Sequence, residues 1–420
     1  MWKSFLTRAV PLTRVACRPD TKEIPHVVPS RDTGENSTAI NLIKTLFTLV
    51  VVTILTSQVA LAQKSYPMLM NLSPAAVQVG HTSEHTVESR YSMFGANQVM
   101  VSEDGVTGEV ITPMELAKDG KEPALTQIKL KFTVAAEAMT GVRDFRIIGP
   151  TGPSTIGQIV ITRDPVIVED PKNDTQETAQ AVVAPGTICG CVEKAEDVDF
   201  YRFTVEQPTS LSFHCLAMRL EDRIHDLQSH VDPIIAIRSA KTGSTLAAAD
   251  NTFAADPFLS HAFEPGEYLL EVRDVRYQGN KYWNYVIEVS NRPFISQVYP
   301  TIVGVGQTTP LQLVGSNVTE TPSIDYPAPG QLPDAGDGSC TLDVSLSSNG
   351  SLLNPVPVVV TTLPVTLEPA GEADIDCYAF DAKKDERISI EVLARRNGSA
   401  LDSIVRLLND KGNPVIENKI

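Results

Sequence analysis

The densest run of side chains capable of chemistry is residues 223–233, RIHDLQSHVDP, with two histidines and two aspartates in eleven positions. His225 and His230 are five apart. On a helix that spacing turns them about 140° from each other, and on a strand an odd separation puts them on opposite faces. Neither geometry lets the pair share a metal as histidines at i and i+4 do. His225, Asp226 and His230 therefore read as an exposed loop, a binding surface before a catalytic one. Tyr277 and Trp283 flank a Gly-Asn turn in RDVRYQGNKYWNYVIEV. Rings there either stack on sugars or peptides, or pack a hairpin.

A second set is acidic. Glu169, Asn173 and Asp174 lie in EDPKND, and Asp197 and Asp199 open the run DVDFYRF. Calcium takes six to eight oxygen ligands, and carboxylates and amides from two neighbouring loops supply that donor type. The competing reading is turn chemistry at strand ends. Asp250, Asn251 and Asp256 read as turn residues for the same reason. No GxSxG or HExxH motif occurs, and GPTGPSTIG is a Pro-broken hairpin turn, not a phosphate loop. No catalytic domain is recognisable, so the chain reads as a non-enzyme.

Around these residues the chain reads as all-β. It is Pro- and Gly-rich (29 and 25 of 420 residues), with short runs of Val, Ile and Thr. The net charge of −16 disfavours nucleic acid and anionic membranes as partners. LIKTLFTLVVVTILTSQVALAQ, residues 42–63, is a signal peptide or signal anchor, with cleavage expected between Ala62 and Gln63 after Ala-Leu-Ala. It is the one expected contact with a membrane and directs the chain to the periplasm, cell surface or medium. The forty residues ahead of it read as a disordered extension or a start codon placed too early. Five cysteines follow it, an odd number, which excludes a complete disulfide framework. A pair between Cys215 and Cys189 or Cys191 stays open.

The chain also repeats. PMLMNLSPAAVQVGHTSEHTVES from Pro67 matches PFISQVYPTIVGVGQTTPLQLVG from Pro293 at an offset of 226. EDVDFYRFTVEQPTSLSFHCLA, residues 196–217, matches ADIDCYAFDAKKDERISIEVLA at an offset of 177. Leu211, Phe213 and Cys215 form one apolar face at period two. Asp232 matches Asp402 at an offset of 170, so the first copy carries seven extra residues before it. RLEDRIHDLQSH is thus an insertion, and Asp232-Pro233 begins the next strand.

The longer repeat resembles the bacterial pre-peptidase C-terminal domain, a jelly-roll-like β-sandwich appended to secreted peptidases and surface proteins. The resemblance rests on VEDPKNDTQETAQAV, DVDFYRF, VDPIIAIRSAKTGSTLAAADN and GEYLLEVRD, and it covers about 120 residues. It implies calcium at Glu169, Asn173, Asp174, Asp197 and Asp199. The second copy lacks the Asn-Asp pair, so no site is expected there. The shorter repeat resembles Ig-like domains. The resulting order is an N-terminal extension (1–40), the signal segment (41–62), an Ig-like sandwich (66–166), a pre-peptidase C-terminal-like sandwich (167–291), a short Ig-like module with a loop at NVTETPSIDYPAPGQLPDAGDGSC (292–362), and an incomplete second copy (363–420). Because that copy ends before the counterparts of Tyr268 and Tyr285, the chain reads as truncated or completed by a partner. The implied function is adhesion or binding to an extracellular polymer, protein or polysaccharide. The alternative is an accessory fragment of a secreted serine-type peptidase.

Overall fold

The computed structural model describes residues 6–8, 65–221, 223–224, 227–253, 256–318, 322–332, 338–348, 351–367, 376–383, 386–392 and 404–419. Among the described residues the structure is all-β apart from one short helix, and it forms tandem β-sandwiches. Residues 1–64, apart from Leu6–Arg8, lie outside the described set, and Ala62 and Gln63 are among them. Among the described residues no helix is long and apolar enough to cross a membrane. Residues Tyr66–Ala379 belong to one of two compact units.

The first sandwich runs from Leu69 to Thr162. Its strands form one continuous path that folds over a core of Leu130, Phe132, Phe145, Ile147, Ile159 and Ile161. The 226-residue repeat is visible in the backbone. Ala76–Gln78 pairs parallel with Gly157–Thr162, and Ile302–Gly304, 226 positions on, pairs parallel with Ser351–Thr361. The turn after each carries a left-handed glycine, Gly80 at φ 72° and Gly306 at φ 69°, a conformation open to Gly at little cost.

The third sandwich pairs Phe294–Tyr299, Thr308–Ser316 and Ser323–Pro327 in one sheet and Ile302–Gly304, Ser351–Thr361 and Ser339–Ser348 in the other. Ser323–Pro327 corrects the expectation of a loop throughout NVTETPSIDYPAPGQLPDAGDGSC. It is an edge strand, alternating exposed and half-buried, and an edge tolerates the flanking prolines.

The second sandwich stacks a six-stranded sheet on a five-stranded one. Val198–Val205, Pro233–Ser239 and Gly266–Asp274 lie in the smaller sheet. Gly186–Cys191, Thr209–Leu216 and Asn284–Ser290 lie in the larger. Tyr201, Phe203, Leu211, Phe213, Cys215, Ile235 and Ile287 meet between them, so the period-two face falls where the alternation puts it. Cys189, Cys191, Cys215, Cys340 and Cys377 are all free, which closes the Cys215 disulfide option. Cys377, aligned with buried Phe200, is exposed. In the second copy Ile404–Leu408 and Pro414–Lys419 form a hairpin. Tyr378 and Phe380 are exposed there, whereas their counterparts Tyr201 and Phe203 are buried.

Candidate functional site

The acidic residues gather at one end of the second sandwich. Asp199 is the second residue of the strand Val198–Val205, and its side chain is buried. Asp174 and Asp197 come from two loops that precede it in the chain, and carboxylate oxygens of Asp174, Asp197 and Asp199 lie within 4.8 Å of one another. Oxygens that bind one calcium at 2.3–2.6 Å lie no more than about 5 Å apart, so this oxygen-only donor set fits a single hard cation. Glu169 joins through a side-chain hydrogen bond with Asp199.

The network around Asp199 shows what the fold does with that charge. The Tyr285 hydroxyl donates to Asp199 Oδ2 at 2.8 Å and lies 2.5 Å from the Tyr201 hydroxyl. Glu169 Oε2 accepts the Cys191 N–H at 2.7 Å. Burial, then the neighbouring Glu169 charge, raises Asp199 far above the usual carboxylate range. Burial also raises Glu169, against hydrogen bonds from Asp199 and Cys191. Asp197 Oδ2 accepts the Glu193 N–H at 2.6 Å. Asn173 is fully buried, and its carbonyl accepts the Phe200 N–H at 2.9 Å. Oriented to satisfy its neighbours, its amide nitrogen donates to the Asp170 carbonyl and to Asp199 Oδ1. Asn173 thus orients a carboxylate here.

Two residues of this site carried no sequence signal. Lys194 places its ammonium 3.0 Å from Asp174 and 3.6 Å from Asp197, a partial countercharge at the exposed mouth. Gly190 lies beneath the cluster. A Cβ there would stand 2.3 Å from the Tyr285 hydroxyl and 2.7 Å from Glu169 Oε2, so the polar network closes only over a glycine.

The insertion forms the neighbouring loop. Met218–Glu221 is a single helical turn. Its start is held by Asp256, whose buried carboxylate accepts the N–H groups of Ala217, Met218 and Arg219 and the Arg219 Nε–H. His225 and Asp226 lie outside the described residues. His230 is half-buried, its Nδ1 3.4 Å from Glu221 Oε2, and its carbonyl accepts from Arg276. Trp283 lies in the core and donates its Nε1–H to the Ser229 carbonyl at 3.1 Å, the hairpin-packing arrangement. Tyr277 is 47% exposed, with the Arg273 guanidinium 4.3 Å from its ring centre.

Asp232-Pro233 opens the strand Pro233–Ser239 as expected. Asp232 donates its N–H to Asp274 Oδ2 at 2.9 Å. Burial alone would raise Asp274, but the N–H groups of Asp232, Gln278 and Arg276 and the Arg276 guanidinium together hold it below its usual value.

No protein-family model matches the chain, and no curated protein does. Among solved structures it is similar to the pre-peptidase C-terminal domain of a collagenase from Bacillus anthracis, at 16% identity over 27% of this chain and 94% of that domain, with a TM-score of 0.21. It is similar to the secreted serine protease VesC from Vibrio cholerae at 9% identity, over 53% of this chain and 51% of that one, with a TM-score of 0.18. Domains 5–6 of the S-layer protein SbsC match at 11% identity over 63% of this chain and 100% of that one, with a TM-score of 0.17.

Proposed function

We propose that this chain is a non-catalytic protein of the extracellular space. Its sandwiches display loops that bind a cell-surface polymer, protein or polysaccharide, and calcium organises the loop end of the second sandwich. The observation that carries the reading is the convergence of Asp174, Asp197 and Asp199, with Glu169 hydrogen-bonded to Asp199. Buried acids in contact need either a proton or a cation. A calcium ion supplies charge without a proton and ties the residue 169–174 lead to the start of the strand Val198–Val205. That stiffens the loops beside it, and stiff loops lose less entropy on binding.

The test is a set of thermal melts with calcium and with chelator at pH 5 and pH 8. A carboxyl raised in the fold is neutral there and ionised in the unfolded chain. The calcium-free protein therefore loses stability as pH rises above the unfolded value. Calcium offsets that loss, so its stabilisation is larger at pH 8 and reaches about 2.7 kcal/mol at a hundredfold excess over Kd. Asp199→Asn abolishes the calcium response. Equal melting with calcium and with chelator at pH 8 would refute calcium. Binding is checked separately by pull-down on cell-wall polysaccharide and on collagen-like peptide, and retention on neither rules out those two ligands.

A further inference from the structure

The acidic end of the second sandwich already holds a positive charge of the chain's own. Lys194 Nζ lies 3.0 Å from Asp174 Oδ2 and 3.6 Å from Asp197 Oδ1. Asp174 precedes the strand Gly186–Cys191 and Asp197 follows it, so the ammonium ties together the same two loops that an ion would tie. Asp197 Oδ2 is capped by the Glu193 N–H at 2.6 Å, and Oδ1 is the oxygen turned to Lys194.

The peptide and the side chain of Lys194 are held very differently. Its carbonyl accepts the Asp197 N–H at 3.2 Å. Gly279 packs on that peptide so closely that a Cβ there would stand 2.0 Å from the carbonyl oxygen. The side chain, in contrast, is 60% exposed. A fixed peptide with an exposed arm lets the ammonium leave by side-chain rotation alone, with the loop in place.

Calcium and this ammonium compete for the same oxygens. A calcium ion bonded to Asp174 Oδ2 at about 2.5 Å lies within about 5.5 Å of an ammonium that is 3.0 Å from the same oxygen. The two cations repel at that distance, and an exposed ion pair is weak enough to give way.

We propose that Lys194 is a tethered competitor for calcium: its ammonium occupies the mouth of the site between Asp174 and Asp197, and calcium enters by displacing it. The exchange presupposes that calcium fills this site, as proposed above. Displacing the arm uses up part of the binding free energy and moves the affinity toward the millimolar range of extracellular calcium modules. A site tuned in this way fills and empties with the calcium level around it instead of staying full.

Calorimetric titration of the calcium-stripped full chain with calcium chloride tests the exchange in the wild type, Lys194→Met and Lys194→Arg. Lys194→Met keeps an arm of similar length without its charge, and it should tighten calcium about five- to tenfold, the equivalent of one or two exposed ion pairs. Lys194→Arg keeps the charge and should stay within about twofold of the wild type. A gain in affinity does not arise from misfolding. Adding Asp199→Asn to Lys194→Met should abolish binding, which places it at this site. Calcium should also speed acetylation of Lys194 by an N-hydroxysuccinimide ester, read by peptide mass spectrometry. Equal affinity in the wild type and Lys194→Met overturns the competitor and leaves the calcium reading standing, as does an equal gain in Lys194→Arg. Binding that survives Asp199→Asn lies elsewhere and overturns both, and so does calcium that binds none of the variants.

Discussion

His214 shows how much a single side chain can depend on partners far away in sequence. Arg219 Nη2 lies 3.0 Å from His214 Nε2. Arginine has no acceptor, so Nε2 must accept and the ring proton sits on Nδ1, 3.3 Å from Glu288. Asp256 fixes Arg219 from below, and Phe294 covers the ring at 4.9 Å. Burial lowers His214, reinforced by Arg219 and opposed by Glu288; burial lowers His85 in the first sandwich as well. A histidine lowered in the fold contributes stability above its unfolded value near 6.5, and that stability is lost as pH falls toward the folded value. Each unit of separation is worth about 1.4 kcal/mol. The His214 contribution should therefore shrink between pH 7 and pH 5, opposite in sign to the raised carboxyls Asp199 and Glu221, so the melting-temperature difference between the wild type and His214→Asn should fall over that range. A difference that does not change with pH would exclude His214. Nothing in SFHCLA announces this role. The aspartates of DVDFYRF were legible because two loops of like charge flank one strand. Lys194 and Gly190 were not, because their significance lies in distances across strands.

The insertion at 218–231 was legible as extra chain but not as a packed unit. The 177- and 170-residue offsets exposed it, and period two correctly put Leu211, Phe213 and Cys215 inside. Sequence could not show that Glu221 would be buried while aiming Oε1 at no partner, across a small cavity also lined by Gln158, whose Oε1 is likewise unpaired. Two acceptors without a donor are costly in a dry space, and burial raises Glu221 to about 9. It therefore stays protonated at neutral pH, and stability is lost as pH rises from the unfolded value toward about 9. Glu221→Gln keeps an acceptor for the Val231 N–H, now 3.1 Å from Oε2, and adds an N–H donor for Gln158. The variant should gain about 1–3 kcal/mol at pH 8 and almost nothing at pH 4, measured as the shift in urea midpoint. A loss at pH 8 would mean that Glu221 is ionised and paired with His230.

How the first two sandwiches are joined follows from strands buried on both sides. In Gly157–Thr162, Ile159 and Ile161 face their own core, while Val160 packs with Ala75, Ala76, Cys189, Leu216 and Val286. Across the junction, Ile188 and Ile287 turn inward and Cys189 and Val286 turn out to meet Val160. A strand with one wet face alternates, whereas Ile159-Val160-Ile161 and Ile188-Cys189 are apolar at consecutive positions, the pattern of a sheet covered on both faces. That signal was present in the sequence, but which surface does the covering depends on the other sandwich. Polar contacts ring the apolar patch. The Thr162 and Thr187 hydroxyls meet at 2.6 Å, Asn284 donates to the Leu72 carbonyl at 2.9 Å, and Lys281 reaches Glu88 at 3.1 Å. Val160→Asp puts an unpaired carboxylate in this patch, at a cost of several kcal/mol, while leaving Ile159 and Ile161 in place. The expected result is two intact sandwiches that no longer hold together. Small-angle scattering should show a larger radius of gyration, and trypsin should cut after Arg163 at the exposed joint. Unchanged scattering and an uncut joint in the folded variant would mean that the polar ring alone holds the pair.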